Sequence, residues 1–169
     1  MPRRPDRFTL APDLEISRLL VGLWQIADME KDGRQLDHPA LAREMKAYTE
    51  AGFDTFDMAD HYGSAELIAG HYRELDRSGV IATKWCPSPG AMTAEVVRAA
   101  VDKARDRLKS EKIDLLQLHW WMFQHPGWID AMKELTRLKN QGLVGHLGTT
   151  NFDTDHLRLL HDHGIPLVT

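Results

Sequence analysis

Along the chain, short runs rich in apolar and β-branched residues alternate with longer stretches whose apolar positions recur every three or four residues. The runs Leu19–Gln25, Thr55–Ala59, Val80–Trp85, Ile113–Trp120, Val144–Thr149 and Pro166–Thr169 predict strands. Between them, Leu41, Met45 and Tyr48 fall on one face of a helix, as do Val97, Val101, Ala104 and Leu108, and later Ile129, Met132, Leu135 and Leu138. The punctuation agrees with this division. Pro39 and Pro126 sit where first-turn prolines belong, and Thr93 is placed to cap the helix that follows it. Gly52, Gly142 and Gly164 each follow a helix and precede a strand, where a positive φ is needed.

Strand starts recur about every thirty residues, the spacing of consecutive βα units. Such alternation implies a parallel sheet, either doubly wound or closed into a barrel. A doubly wound dinucleotide fold would carry a Gly-rich fingerprint after its first strand. Val21-Gly22-Leu23-Trp24-Gln25 carries none. The expected fold is therefore α/β, of the parallel (β/α)8 TIM-barrel type, represented here by about six strands and five helices. No linker, low-complexity tract or composition break divides residues 1–169, so one domain is expected.

Composition narrows the setting rather than the fold. The 169 residues are 43% hydrophobic and 27% charged, as in ordinary globular proteins. A net charge of -4, with both signs interspersed, leaves no footprint for nucleic acid or an anionic membrane. The single cysteine, Cys86, excludes an internal disulfide and fits a reducing, cytoplasmic compartment. Met1–Arg7 carries charge without an apolar segment behind it, so it does not read as a signal peptide, and no uncharged run is long enough to cross a bilayer.

The polar residues at strand ends carry the chemistry. Parallel barrels place catalytic groups at the C-terminal ends of strands and in the loops beyond. Asp57 closes the second predicted strand and Tyr62 follows five residues later; Lys84 ends the third and His119 the fourth. A carbonyl accepting hydride develops negative charge on oxygen and needs a proton there. A tyrosine titrating near pH 10 is a reluctant acid, and a neighbouring ammonium would lower its pKa. A buried lysine keeps its charge only with a counter-ion, and a neutral histidine can orient a carbonyl oxygen. These roles fall to Tyr62 as acid, Lys84 as its tuner, Asp57 as partner of Lys84 and His119 as orienter. Singly, each has a plainer explanation: a loop aromatic, a snorkelling strand-end lysine, a turn-capping aspartate, a hydrogen-bonded core histidine. Their joint placement at successive strand ends favours the catalytic reading.

Phe56-Asp57-Met58-Ala59-Asp60-His61-Tyr62-Gly63 resembles the aldo-keto reductase motif in which the catalytic Asp precedes the catalytic Tyr by five residues. Ala82-Thr83-Lys84 and Leu116-Gln117-Leu118-His119 are similar to the family's lysine and histidine segments. Gly148-Thr149-Thr150-Asn151-Phe152 resembles its Gly-x-Ser-Asn-Phe segment, with Thr150 in place of the serine. The resemblance runs from about residue 16 to the end. It implies reduction of aldehydes or ketones with NADP (NAD not excluded), Asp57, Tyr62, Lys84 and His119 as the catalytic set, and a small-molecule carbonyl substrate. It also implies that Gly22, Leu23, Trp24, Asp57, Thr150 and Asn151 line the cofactor site. Family members continue beyond the point matching Thr169 with two more βα units and a loop that grips the adenosine phosphate. The expectation is thus a barrel incomplete at its C-terminus, inactive alone and completed by a missing segment or a second chain.

Trp24, Trp85, His119 and Trp120 are candidate walls of a substrate pocket, which would favour apolar or aromatic carbonyls. For Trp120 and Trp121, plugging the barrel mouth as core is an equal alternative. Cys86 reads as structural, and His156, His161 and His163 as a solvated helix face, so no metal is expected. Two other function classes stand beside the reductase. One is a nicotinamide-binding regulatory subunit without significant turnover. The other is a metal-dependent hydrolase using Asp57, Asp60, His61 and His119, against which the Lys84 cation argues.

Overall fold

A computed structural model describes residues 5–28 and 35–169. The chain opens with an antiparallel hairpin, β1 (Arg7–Ala11) and β2 (Leu14–Ser17). Strands and helices then alternate: β3 (Val21–Gly22), α1 (His38–Glu50), β4 (Thr55–Asp57), α2 (Ala65–Leu75), β5 (Val80–Trp85), α3 (Ala94–Arg107), β6 (Ile113–His119), α4 (Gly127–Asn140), β7 (Val144–Thr150) and α5 (Thr154–Asp162). Strands β3 to β7 form one parallel sheet in sequential order. A doubly wound sheet would reverse its strand order at a switch point. Unbroken sequential order is that of an arc of a barrel. Among the described residues, no helix is long and apolar enough to cross a membrane. Most of the Met1–Arg7 segment lies outside the described residues.

The expected strands are present, though the first is short and the last is a single bridge. Leu167 pairs in parallel with Leu147, and the backbone of Val168 and Thr169 continues the contact along β7. The hairpin is an addition. Its signal is visible in the alternating Arg7–Leu10 and Glu15–Ser17 runs around Pro12-Asp13, a turn dipeptide. It packs on the N-terminal end of the sheet. Ser17 N–H donates to Thr55 Oγ1 at 2.9 Å, and Arg7 grips both carboxylate oxygens of Asp54 at 2.5 and 2.6 Å.

Alternation along the strands divides the sheet into two faces. Phe56, Ile81, Leu116, Leu118 and Leu147 turn towards the helices and join the main core. Val97, Val101, Ala104 and Leu108 are buried against them, as are Met132, Leu135 and Leu138. Thr93 accepts from Val96 N–H, and Gly52, Gly142 and Gly164 have φ of 96°, 82° and 71°. Two details differ from the sequence reading. Tyr48 is half exposed, because α1 buries Ala42 and Met45 and the stripe turns away from Tyr48. Pro126 is the N-cap of α4 rather than a first-turn residue, whereas Pro39 does lie in the first turn of α1.

Helix α2 is packed on several sides, with Ala65, Ile68, Ala69 and Tyr72 fully buried. Its closest approach to a neighbour is at Gly70, where an added Cβ would lie 2.1 Å from the carbonyl oxygen of Arg107. That atom is backbone and cannot rotate aside. Gly70→Ala is therefore expected to force α2 and the end of α3 apart, costing about 1–3 kcal/mol. In a domain of this size each kcal/mol lowers Tm by roughly 2–4 °C. Thermal and urea unfolding check this, and an unchanged midpoint would show that the helices separate freely.

Candidate active site

Register explains how distant residues meet. Asp57 pairs with Ala82, and Lys84 lies two residues beyond Ala82. Lys84 pairs with Gln117, and His119 lies two beyond Gln117 and pairs with Thr150. Cross-strand partners in a parallel sheet face the same way, as do residues two apart on one strand. Gly22, paired with Asp57, completes the row. Gly22, Asp57, Lys84, His119 and Thr150 therefore share the inner face. From β4 to β6 each functional residue is displaced by one pleat period, the stagger that strand tilt imposes on a barrel.

Lys84 donates to Asp57 Oδ1 at 2.6 Å and to the carbonyl of Met58 at 3.0 Å. Its side chain is only 10% exposed, so the carboxylate is what makes an ammonium tenable there. Tyr62 stands in the loop after β4, with its ring centroid 5.5 Å from Lys84 Nζ and edge-on to Trp24 at 4.8 Å. The expected role of Lys84 in lowering the phenol pKa is corrected by this geometry. Tyr62 is pushed above its ordinary value, first by burial and then by the negative charge of Asp57. The carboxylate that holds Lys84 offsets the field that Lys84 would exert on Tyr62.

His119 is buried, and its Nδ1 has no hydrogen-bond partner among the described residues. Burial lowers its pKa, with His61 and Lys84 adding to the effect, so the imidazole is neutral at pH 7. Its ring lies 4.8 Å from that of Trp121 and 5.5 Å from that of His61. At the end of β7, Thr150 donates its hydroxyl to Gln117 Oε1 at 3.1 Å, and Asn151 is exposed with φ of 71°. Asparagine tolerates that left-handed backbone better than most residues. Near Gly22 the inner face is open, since an added Cβ would meet nothing closer than Gln25 Oε1 at 4.0 Å. Leu23 buries its side chain, gives its N–H to the carbonyl of Asp57 and accepts the N–H of Ala27 on its own carbonyl, so both of its backbone groups are engaged within the protein.

Two of the tryptophans expected in a substrate pocket lie elsewhere. Trp120 is 1% exposed and donates its indole N–H to Met122 O at 3.0 Å, so it belongs to the core. Trp85 follows Lys84 and turns to the opposite, helix-facing side, where it lines a cavity of about 260 Å³ with Ala99, Ala100 and Lys103. Trp24 and the 68%-exposed Trp121 are the aromatics accessible near Tyr62 and His119. A larger hollow of about 710 Å³, lined by Arg77, Arg105 and Lys112 among others, lies at the opposite end of the strands. His156 also departs from expectation. It packs against Phe123 at 4.0 Å and Trp128 at 5.3 Å instead of facing solvent.

The sequence reading misses several supports of the site. Asp28 accepts the N–H of Ser64 at 2.6 Å, which lowers its pKa and ties the β3–α1 loop to the start of α2. Gly63 makes room for that contact, since its φ is +48° and a Cβ there would lie 1.8 Å from Asp28 Oδ1. Asp60 accepts the N–H of Cys86 and lies 3.0 Å from His61 Nδ1. A histidine, a cysteine and a second histidine that sequence order separates are thereby gathered: ligand atoms of His61, Cys86 and His119 lie within 4.8 Å of one another. Cys86, read from the sequence as structural, thus stands beside two imidazoles.

Comparison with known proteins agrees with the arc of parallel strands. The profile of the Aldo/keto reductase family matches residues 18–169, and the chain belongs to that family. An aldo-keto reductase of Mycobacterium sp. (strain KMS) is 29% identical over 150 residues, covering 87% of this chain and 50% of that protein. The 6-dehydroglucose reductase of Novosphingobium aromaticivorans is 28% identical over 159 residues, with 88% and 52% covered. The chain thus spans about half the length of these curated relatives. The crystal structure of a thermostable aldo-keto reductase in complex with epalrestat superposes with a TM-score of 0.82 at 22% identity, over 96% of this chain and 60% of that one. An aldo/keto reductase from Brucella melitensis superposes at 0.77 with 24% identity, over 99% and 61%. These are (β/α)8 barrels, and the five-stranded parallel sheet is part of the same architecture.

The ion pair makes a direct prediction. Asp57→Ala should destabilise the fold by about 1–3 kcal/mol, because a largely buried ammonium loses its charged acceptor. Adding Lys84→Met should recover part of that loss. Urea unfolding of both single variants and the double variant measures the coupling, and purely additive losses would refute it.

Proposed function

We propose that this chain carries the proton-transfer and nicotinamide-facing part of an NADP(H)-dependent carbonyl reductase, with NAD(H) as a possible substitute. The observation that carries the proposal is the convergence of Tyr62, His119 and the Lys84–Asp57 pair on one open end of the sheet. Relatives named 6-dehydroglucose reductase and, in Arabidopsis thaliana, pyridoxal reductase support a reductive activity on small carbonyl compounds.

The donor set at the strand ends fits a nicotinamide. The Thr150 hydroxyl and the exposed Asn151 carboxamide can bond an amide, and the open backbone at Gly22 admits a flat ring. Asp57, Leu23 and Trp24 would border the same space. When bound, the cofactor supplies the hydride. Tyr62 then gives its phenolic proton to the carbonyl oxygen. An alkoxide is a far stronger base than a phenolate, so the transfer is downhill even from a phenol held above its ordinary range. Neutral His119 donates one hydrogen bond to the same oxygen and fixes its direction. Lys84 balances the negative charge left on Tyr62, with Asp57 keeping the ammonium in place. Trp24 and Trp121 offer apolar surface to the substrate's remaining substituents. A cytoplasmic setting, favoured by the single cysteine, belongs to the same proposal.

In a complete, active form of the protein, Tyr62→Phe is expected to lower carbonyl reduction by about 10²–10⁴-fold, the usual worth of a positioned acid. NADPH affinity, followed by nicotinamide fluorescence, should change little, because the hydroxyl acts in the transition state. Reduction within tenfold of the unsubstituted protein would remove Tyr62 from its assigned role.

A further inference from the structure

We propose that His61, Cys86 and His119 form a binding site for a thiophilic divalent metal ion of the Zn²⁺ class at the mouth of the sheet. Two imidazoles and a thiolate are the donor set such ions prefer, and three protein ligands leave a fourth position for water. The ligand atoms lie within 4.8 Å of one another. Tetrahedral bonds of 2.0–2.3 Å require separations of roughly 3.5 Å, so a contraction of about 1 Å is needed. His61 can supply it, since its side chain is 40% exposed.

Independent observations point to a ligand here. His119 is 6% exposed, yet its Nδ1 is buried without a partner among the described residues. His61 Nδ1 is held by Asp60 at 3.0 Å, which leaves Nε2 for a metal and reproduces the carboxylate–histidine arrangement that commonly backs metal ligands. The same carboxylate accepts the backbone N–H of Cys86, so one side chain braces two of the three donors. The Lys84 ammonium opposes a cation beside His119, and the Asp57 carboxylate bonded to it at 2.6 Å offsets part of that repulsion. On binding, a metal–sulfur bond forms, the Cys86 thiol gives its proton to solvent, and no electron changes hands.

Metal and carbonyl would then compete for His119. That second claim rests on the reading of His119 given under the proposed function; metal binding itself does not.

Co²⁺ is the probe for the site. Titrating the purified chain should give one equivalent of tetrahedral Co²⁺ with visible d–d bands and a near-ultraviolet thiolate-to-metal band. Cys86→Ser should abolish the thiolate band, and His61→Ala, at an exposed position, should weaken binding at least tenfold. Zn²⁺ should displace Co²⁺ stoichiometrically. Absence of the thiolate band, or affinities unchanged in both variants, would overturn the site. For the competition, one equivalent of Zn²⁺ should slow carbonyl reduction at least tenfold, with recovery on adding EDTA and no slowing in Cys86→Ser relative to its own metal-free rate. Full turnover by the Zn²⁺-loaded protein would overturn the competition. A form of the protein that binds both Co²⁺ and NADPH but reduces no carbonyl with or without metal would defeat the reductase reading and leave the metal site intact.

Discussion

A lysine ammonium at the inner end of a parallel sheet is tenable only with a counter-charge, and the rest of the site follows from how that need is met. Asp57 answers Lys84 from the neighbouring strand at 2.6 Å, and the Met58 carbonyl accepts a second hydrogen bond from the ammonium. The pair fixes the end of β4 against the end of β5 and thereby fixes where the loop bearing Tyr62 begins. It also sets the electrostatics. Because the two charges offset one another, Tyr62 responds first to burial and second to the Asp57 carboxylate, and its phenol rises.

Much of this was legible from residues alone because strand ends announce themselves. Asp57, Lys84 and His119 each interrupt an apolar run, and a parallel arc carries such interruptions to one end. What the sequence could not settle was direction and company. Trp85 and Trp120 sit beside Lys84 and His119 in the chain, but a single step along a strand reverses the side chain, and Trp120 closes the core instead of opening a pocket. Tyr48 fails for a related reason: α1 turns a stripe that excludes it towards the sheet. The Asp28–Ser64 contact and the gathering of His61, Cys86 and His119 join residues separated by 25 or more positions or held by loops, where no periodicity gives a signal. Thr150 in place of a serine retains its hydroxyl, and that hydroxyl is turned to Gln117.

The loop after β4 is specified by packing as much as by chemistry. Gly63 follows Tyr62 with a left-handed φ, and its missing side chain is the space that Asp28 occupies. Tyr62 and the clamp that positions its loop are therefore adjacent in the chain. Any β-carbon at position 63 disturbs both. Asp60 has a comparable place on the other side of Tyr62, where it joins the backbone of Cys86 to the ring of His61.

The sequential order of β3 to β7 bears on how the chain acquires its shape. Each strand meets the one made just before it, and each helix closes onto sheet already laid down. Loop-closure costs are then met in small steps rather than in one long-range pairing. A nascent chain leaving the ribosome can consolidate one βα unit upon the last, with the Arg7–Asp54 grip anchoring the earliest of them. The same order that lines up the polar strand ends gives synthesis a direction in which to build them.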